Sequence, residues 1–220
     1  MARMRGDKAA LGGPGLPPRW ATGRKDGVGT AYSADSRLWF TMADGIVTEV
    51  FFPTIGMPQL RDLQLLITDG ETFLHSEKDD LATSGKRPSD HALGYEVRNA
   101  DRAGRYSITK EVICDPHLPV LLQRVKLDGD AADLAGLRSY VLAAPHLGLR
   151  GWGNSGFVFE IAGRTVLVAE GAGPGWPSVP ACRSPAPAAA TWERTTAGLT
   201  FRTTSRWTGS STRCLTATSR

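Results

Sequence analysis

The chain has 220 residues, 41% of them hydrophobic, enough to bury one well-formed core and too few for two large domains. No apolar stretch reaches the length of a membrane span, and the opening MARMRGDKAALGGPGLPPRW has charge but no apolar signal core, so the sequence as written predicts a cytoplasmic protein with no membrane partner. The formal charge of +4 and pI of about 9.1 point towards nucleic acid only until the charge is located: residues 175–220 hold six Arg against Glu193, a net of +5, so the basic balance belongs to the tail and no nucleic-acid partner is expected.

In chain order, residues 1–26 are rich in Gly, Pro and charge, which suits a mobile leader or an arm laid over a folded body. Gly12-Gly13-Pro14-Gly15 within it is no phosphate-binding loop, because proline breaks the turn and no strand precedes it. Next come two short apolar runs, Trp39-Phe40 and Ile46-Val47 with Val50-Phe51-Phe52, joined through Met42-Ala43-Asp44-Gly45. Asp-Gly between such runs predicts a hairpin. Further hairpins are predicted where residues 96–99 and 106–113 flank 100–105, and where 157–161 and 165–169 flank 162–164. Tyr106-Ser107-Ile108-Thr109 alternates as a half-buried strand should, whereas residues 120–125, Val-Leu-Leu-Gln-Arg-Val, read as more fully buried. Mild helical character is confined to residues 131–137, and Gly and Pro are too frequent elsewhere for long helices. The body, residues 27–173, is therefore expected to be all-β.

Several ordered motifs make the reading more specific: Pro17-Pro18-Arg19-Trp20, Gly27-Val28-Gly29-Thr30-Ala31, Arg37-Leu38-Trp39-Phe40-Thr41, Gly45-Ile46-Val47-Thr48-Glu49-Val50-Phe51-Phe52-Pro53, Arg61-Asp62-Leu63 and Thr68-Asp69-Gly70. Lys110-Glu111-Val112-Ile113 with Asp115-Pro116, then Tyr140-Val141-Leu142 with Pro145-His146-Leu147-Gly148, come next in the same order. Over roughly residues 17–173 the chain resembles the amino-terminal domain of bacterial glucoamylases and glucodextranases, glycoside hydrolase family 15. The resemblance implies an antiparallel, galactose-mutarotase-like β-super-sandwich that in the full-length family precedes an (α/α)6 catalytic barrel absent from this chain. It also implies a non-catalytic domain of a glucan 1,4-α-glucosidase acting in carbohydrate metabolism, with that barrel as its partner and an α-glucan as a possible ligand. A free-standing carbohydrate-binding module, or the same domain from a trehalase-type relative, are the alternatives.

The family inverts α-glucosidic bonds with two carboxyl groups spaced to admit a water molecule. Both are glutamates of the barrel, and no residue here matches them, so no catalytic residue is expected in this chain. Glu49, inside the signature, falls on a strand and is read as structural. The segment 51–63 is the candidate rim facing a barrel or a sugar. Phe51 and Phe52 precede Pro53, Gly56 and Pro58 in a rigid loop, and Arg61 and Asp62 offer fixed polar groups at its end. The plainer reading has the two aromatics filling the core or facing opposite sides of a strand while Arg61 and Asp62 pair locally. Trp152, among Gly151, Gly153 and Asn154, either stacks on a sugar or anchors a loop. His75, His91, His117 and His146 lack metal-ligand spacing, so neither metal nor cofactor is expected, and His146 is read as packed or hydrogen-bonded at a strand end. Cys114, in the run Val112-Ile113-Cys114, is read as a small buried hydrophobe.

After residue 173 the composition turns to Ser, Thr, Arg, Ala and Pro without a sustained period. Residues 174–220 are expected to be a basic disordered linker or, as the sharper reading, a stretch translated out of frame from a shift near residues 173–176. One shifted frame of synonymous codons for residues 192–198 encodes Val-Gly-Thr-Asn-Asp-Gly-Trp, which resembles the segment leading from this domain towards the barrel in the family. On that reading the chain is cut short before the barrel.

Overall fold

The computed structural model describes residues 8–9, 20–86, 91–150, 154–161, 164–171, 178–183, 189–195, 198–204 and 212–218. Its strands are β1 (Lys8–Ala9), β2 (Gly27–Thr30), β3 (Trp39–Ala43), β4 (Ile46–Phe51), β5 (Pro58–Thr68), β6 (Leu74–Ser76), β7 (Leu81–Lys86), β8 (Tyr95–Asp101), β9 (Tyr106–Cys114), β10 (Val120–Gly129), β11 (Arg138–Pro145), β12 (Ser155–Ile161) and β13 (Arg164–Glu170). Beyond residue 173 the backbone continues as β14 (Ser178–Arg183), β15 (Ala189–Thr195), β16 (Gly198–Thr204) and β17 (Thr212–Thr218). Two short helices interrupt them, α1 (Glu77–Asp80) and α2 (Ala131–Gly136), with a 3-10 turn at Leu147–Leu149. The described strands form a larger sheet in the order β1-β12-β13-β14-β17-β10-β9-β8-β7 and a smaller one in the order β15-β16-β11-β5-β4-β3-β2, with β6 added beside β5. Every described pairing is antiparallel, as the predicted all-β sandwich requires.

The predicted turn between β3 and β4 is two residues long. Asp44 has φ 49° and Gly45 φ 75°, the doubly left-handed geometry that matches the twist of the flanking strands. Gly45 is required twice over, because a Cβ there would lie 2.2 Å from Asn99 Oδ1 and 2.5 Å from Thr83 Oγ1. The hairpin of β8 and β9 turns through Asp101, whose carboxylate accepts bonds from Arg105 Nε at 2.6 Å and from the amides of Ala103 and Arg105. The Arg105 guanidinium, with those amides, holds the Asp101 carboxyl down to about 2.

The two sheets face one another across a single cluster. Phe40, Met42, Val47, Val50, Leu60, Leu63, Leu65 and Ile67 come from the smaller sheet, and Val97, Ile108, Val112, Leu121 and Val125 from the larger. Each such side chain, removed from water, stabilises the fold by about 1.5–3 kcal/mol relative to its exposed state. The reading of residues 120–125 as more fully buried is corrected by this register. Leu121 and Val125 enter the core, Arg124 is exposed on the opposite face, and the buried position between them is Gln123. β10 is thus a one-sided strand, and its apolar run reflects β propensity as much as burial.

Polar groups also lie inside the sandwich. Lys110 occupies a core-facing position of β9 and its ammonium meets Glu77 Oε1 at 2.8 Å, both side chains being wholly buried. Glu77 Oε1 also accepts from Asn99 Nδ2 at 2.7 Å, and Glu77 Oε2 from the Leu65 amide at 2.6 Å. Asn99 Nδ2 donates as well to the Gly45 carbonyl, and Thr83 Oγ1 donates to Asn99 Oδ1. The reason for the bond to Leu65 is topological. On one side β5 pairs with β11 without a break from Leu63 to Thr68, while its other side is shared by β4, up to Leu63, and β6, from Leu66. Leu65 falls in the gap, and the Glu77 carboxylate receives the amide that no strand takes.

Lys110→Met leaves Glu77 buried without its counter-charge and is expected to destabilise the chain by about 3–5 kcal/mol. Arg124→Met, which breaks the exposed pair with Glu111, should cost only about 0–1 kcal/mol. Urea unfolding of the two variants separates these outcomes, and equal midpoints would refute the structural weight given to the buried pair.

Candidate functional site

The candidate rim starts where β4 hands over to β5. Phe52 N bonds Met57 O at 3.1 Å and Met57 N bonds Thr54 O at 3.1 Å, closing residues 52–57 into a tight loop that contains the cis peptide Phe52-Pro53. Gln59, the second residue of β5 and one that no sequence motif singles out, stitches this loop to another. Its Nε2 donates to Phe52 O at 2.8 Å, its Oε1 accepts from Gly148 N at 2.9 Å, and its carbonyl accepts from His146 N at 2.9 Å. The loop after β4 and the 3-10 turn after β11 therefore form one platform at one end of the smaller sheet. Ile55 is 70% exposed on one loop and Leu149 46% exposed on the other, while Trp20, 53% exposed, sets its ring edgewise on buried His146 at 4.7 Å.

Phe51 and Phe52 are half-buried at this platform; Phe51 pairs with Trp39 and Pro58 in register, and neither joins the main core cluster. Arg61 and Asp62 lie further along β5, paired with each other at 2.9 Å. They can meet although adjacent in a strand because the register slips there. Leu60 faces Pro145 and Leu63 faces Ala143, so two residues of β5 oppose Ala144 alone, a β-bulge. A matching bulge on β4 sets Thr48 and Glu49 against Thr41. Because Val47 faces Leu63 and Val50 faces Leu60, the two bulges are neighbours, and they line up a row of polar side chains on the face turned away from the core. Glu49 in that row holds Lys25 at 2.7 Å, and Thr41 Oγ1 bridges Thr48 and Glu49. Lys25 also donates to Thr22 O at 2.6 Å and Asp26 N bonds Met42 O at 2.8 Å, so residues 22–26 lie as an arm against the sheet. Glu49 is structural. Trp152 and its neighbours 151 and 153 lie outside the described residues.

The chemistry assembled here is that of pairing. Asp62, Glu77 and Asp101, the buried carboxylates among the described residues, stand against Arg61, Lys110 and Arg105 respectively. Cys114 is buried, and that burial pushes its thiol up to about 12, which suppresses the reactive thiolate. His146 is packed at the end of β11 beneath Trp20. Among the described residues no group of three or more His, Cys, Asp or Glu could hold a metal ion, and no helix is long and apolar enough to cross a membrane.

The family model described as glucodextranase, domain N, matches residues 10–212. The chain belongs to the glucodextranase domain N family. A glucoamylase of Clostridium sp. (strain G0005) is 33% identical over 162 residues, covering 74% of this chain and 23% of its own length. The crystal structure of a bacterial glucoamylase complexed with acarbose shares the fold, with a TM-score of 0.77 at 24% identity, over 96% of this chain and 34% of that one. This domain N chain thus spans about a quarter to a third of the relatives it matches.

Gln59→Leu removes the two side-chain bonds that join the platform loops. It is expected to cost about 1–3 kcal/mol and to raise deuterium uptake at the Gly148 amide. Unchanged exchange at Gly148 would show that the loops hold their places without it.

Proposed function

We propose that this domain N is the non-catalytic amino-terminal part of a glucoamylase- or glucodextranase-like hydrolase, and that its platform docks on and braces the catalytic (α/α)6 barrel of the parent enzyme. The observation that carries the reading is the pairing of each buried carboxylate among the described residues with its own cation. Glycoside hydrolysis needs a carboxylic acid kept protonated beside a free carboxylate. Asp101, held down to about 2 by Arg105, is the opposite of a general acid. What the domain does offer is a braced surface bearing Ile55, Leu149 and Trp20, with Phe51 and Phe52 beneath and the Arg61–Asp62 bulge behind. A role for that rim in touching α-glucan belongs to the assembled enzyme on this reading.

The purified chain is expected to release no glucose from maltose, dextran or trehalose. It should co-elute with a separately produced catalytic portion of a matching glucoamylase, and Ile55→Asp with Leu149→Asp should abolish that association. Glucose release that tracks the chain through purification, or association indifferent to both substitutions, would overturn the assignment.

We also propose that residues 174–220 are read in a shifted frame. One feature supports this. β14 lies between β13 and β17 yet has Pro180 opposite Thr216, where a residue with no amide donor is out of place in a sheet interior. Resequencing the DNA for residues 170–220 is expected to reveal a one-base shift that restores an Asp-Gly-Trp segment; an intact present frame would refute it.

A further inference from the structure

At the other end of the β3–β4 hairpin from the platform, a cleft of about 740 Å³ opens between the Asp44-Gly45 turn of the smaller sheet and the strands β7 and β8 of the larger. The size lies within the range of ligand pockets. Its floor is apolar, formed by Met42, Leu81 and Val97, and its walls are polar. Arg24, Asp26 and Asp44 stand on one wall; Lys78 and the hydroxyl of Thr83, on the inward face of β7, stand on the other. We propose that this cleft is a binding site for a neutral polyhydroxylated ligand of one or two sugar rings, separate from the rim of the domain.

The charge balance selects the class. Arg24 and Lys78 are offset by Asp26 and Asp44, so the lining is neutral overall and rich in both donors and acceptors. A site built for a phosphate or a carboxylate would carry excess cation, and one built for an amine excess anion. Hydroxyl groups, each a donor and an acceptor, fit a mixture of fixed charges of both signs. The acidic wall is preorganised: Asp26 Oδ2 accepts from the Asp44 amide at 2.9 Å, and Arg24 spans Asp26 at 3.4 Å and Asp44 at 3.5 Å. The opposite wall has capacity to spare. Lys78 has no hydrogen bond or ion pair among the described residues. β7 is the terminal strand of its sheet in the described order, so its backbone groups facing away from β8 add further donors and acceptors along the same wall. The floor is rigid because it rests on the Gly45–Asn99–Glu77 network.

The test is an amide chemical-shift titration of the isotope-labelled 220-residue chain with maltose and, separately, with glucose 6-phosphate. Maltose is expected to shift the amides of Gly45, Lys78 and Ser84 saturably, with millimolar affinity, and glucose 6-phosphate to bind no tighter. Gly85→Phe, on the same face of β7 as Thr83 and with room for a Cβ at 3.5 Å from Glu96 O and 3.6 Å from Val97 Cγ2, should fill the cleft and weaken maltose at least about tenfold, and Lys78→Ala should do so about threefold to tenfold without touching the core. Tyr32→Ala, at a residue 98% exposed and outside the cleft lining, serves as the control and should leave binding unchanged. No saturable shift, shifts confined to residues 51–62, tighter binding of the phosphate ester, or binding unaffected by both cleft variants would each overturn the proposal. Because the rim and the cleft lie at opposite ends of β4, failure here leaves the docking assignment standing, and the reverse also holds.

Discussion

The carboxylate of Glu77 is a buried point at which the two sheets of this domain are tied together by something more directional than apolar contact. One oxygen takes the Leu65 amide that the gap between β4 and β6 leaves free in the smaller sheet; the other meets Asn99 and Lys110 of the larger. A buried ion pair is weak evidence of net stability, because desolvation offsets much of the attraction. Its value here is positional. Hydrophobic burial is indifferent to small slides of one sheet over the other, whereas a carboxylate with a strand amide on one side and an ammonium and an amide on the other accepts one alignment. Asn99 passes that alignment to the Asp44-Gly45 turn, fixing the end of the hairpin that opens onto the cleft.

The other end of the same hairpin is organised by bulges. An unbroken strand would send Arg61 and Asp62 to opposite faces, with one of the two charged groups directed at the core. The extra residue in β5 lets both sit on the outer face and neutralise each other, while Leu60 and Leu63 remain inside. The bulge at Thr48 and Glu49 does the same for β4 and creates the anchor for Lys25. A row of polar residues, costly in the middle of a sandwich, becomes the seat of the arm and the support of the platform.

Much of this was legible in the sequence where local chemistry decides the outcome. Asp44-Gly45 dictates its own turn, the alternation of Tyr106 to Thr109 marks the face of β9, and the ordered motifs point to the family by themselves. Cys114 was read correctly because an apolar run is enough to bury a thiol. What escaped is non-local. Glu77 sits in Glu-Lys-Asp-Asp, which reads as solvent-facing, and nothing in residues 110–112 marks Lys110 as interior, since its partner is on another element. Gln59 is one polar residue among apolar ones, and its role exists only once the loops at 52–57 and 146–150 are side by side. The error over β10 has a similar origin: Leu122 and Ile113 are paired in register, and each lies on the face of its strand away from the core, so two apolar runs conceal an alternating pattern.

On the proposed docking, the platform, and not the cleft or the open strand edges, meets the catalytic portion of the parent enzyme. Hydrogen–deuterium exchange, measured on this chain alone and in complex with the catalytic portion of a matching glucoamylase, addresses it directly. Docking through the platform predicts that protection on association is concentrated in residues 52–57 and 146–150, with the amides of β7 unchanged. Protection concentrated at β7 and the Asp44-Gly45 turn, with the platform loops exchanging as before, would contradict it.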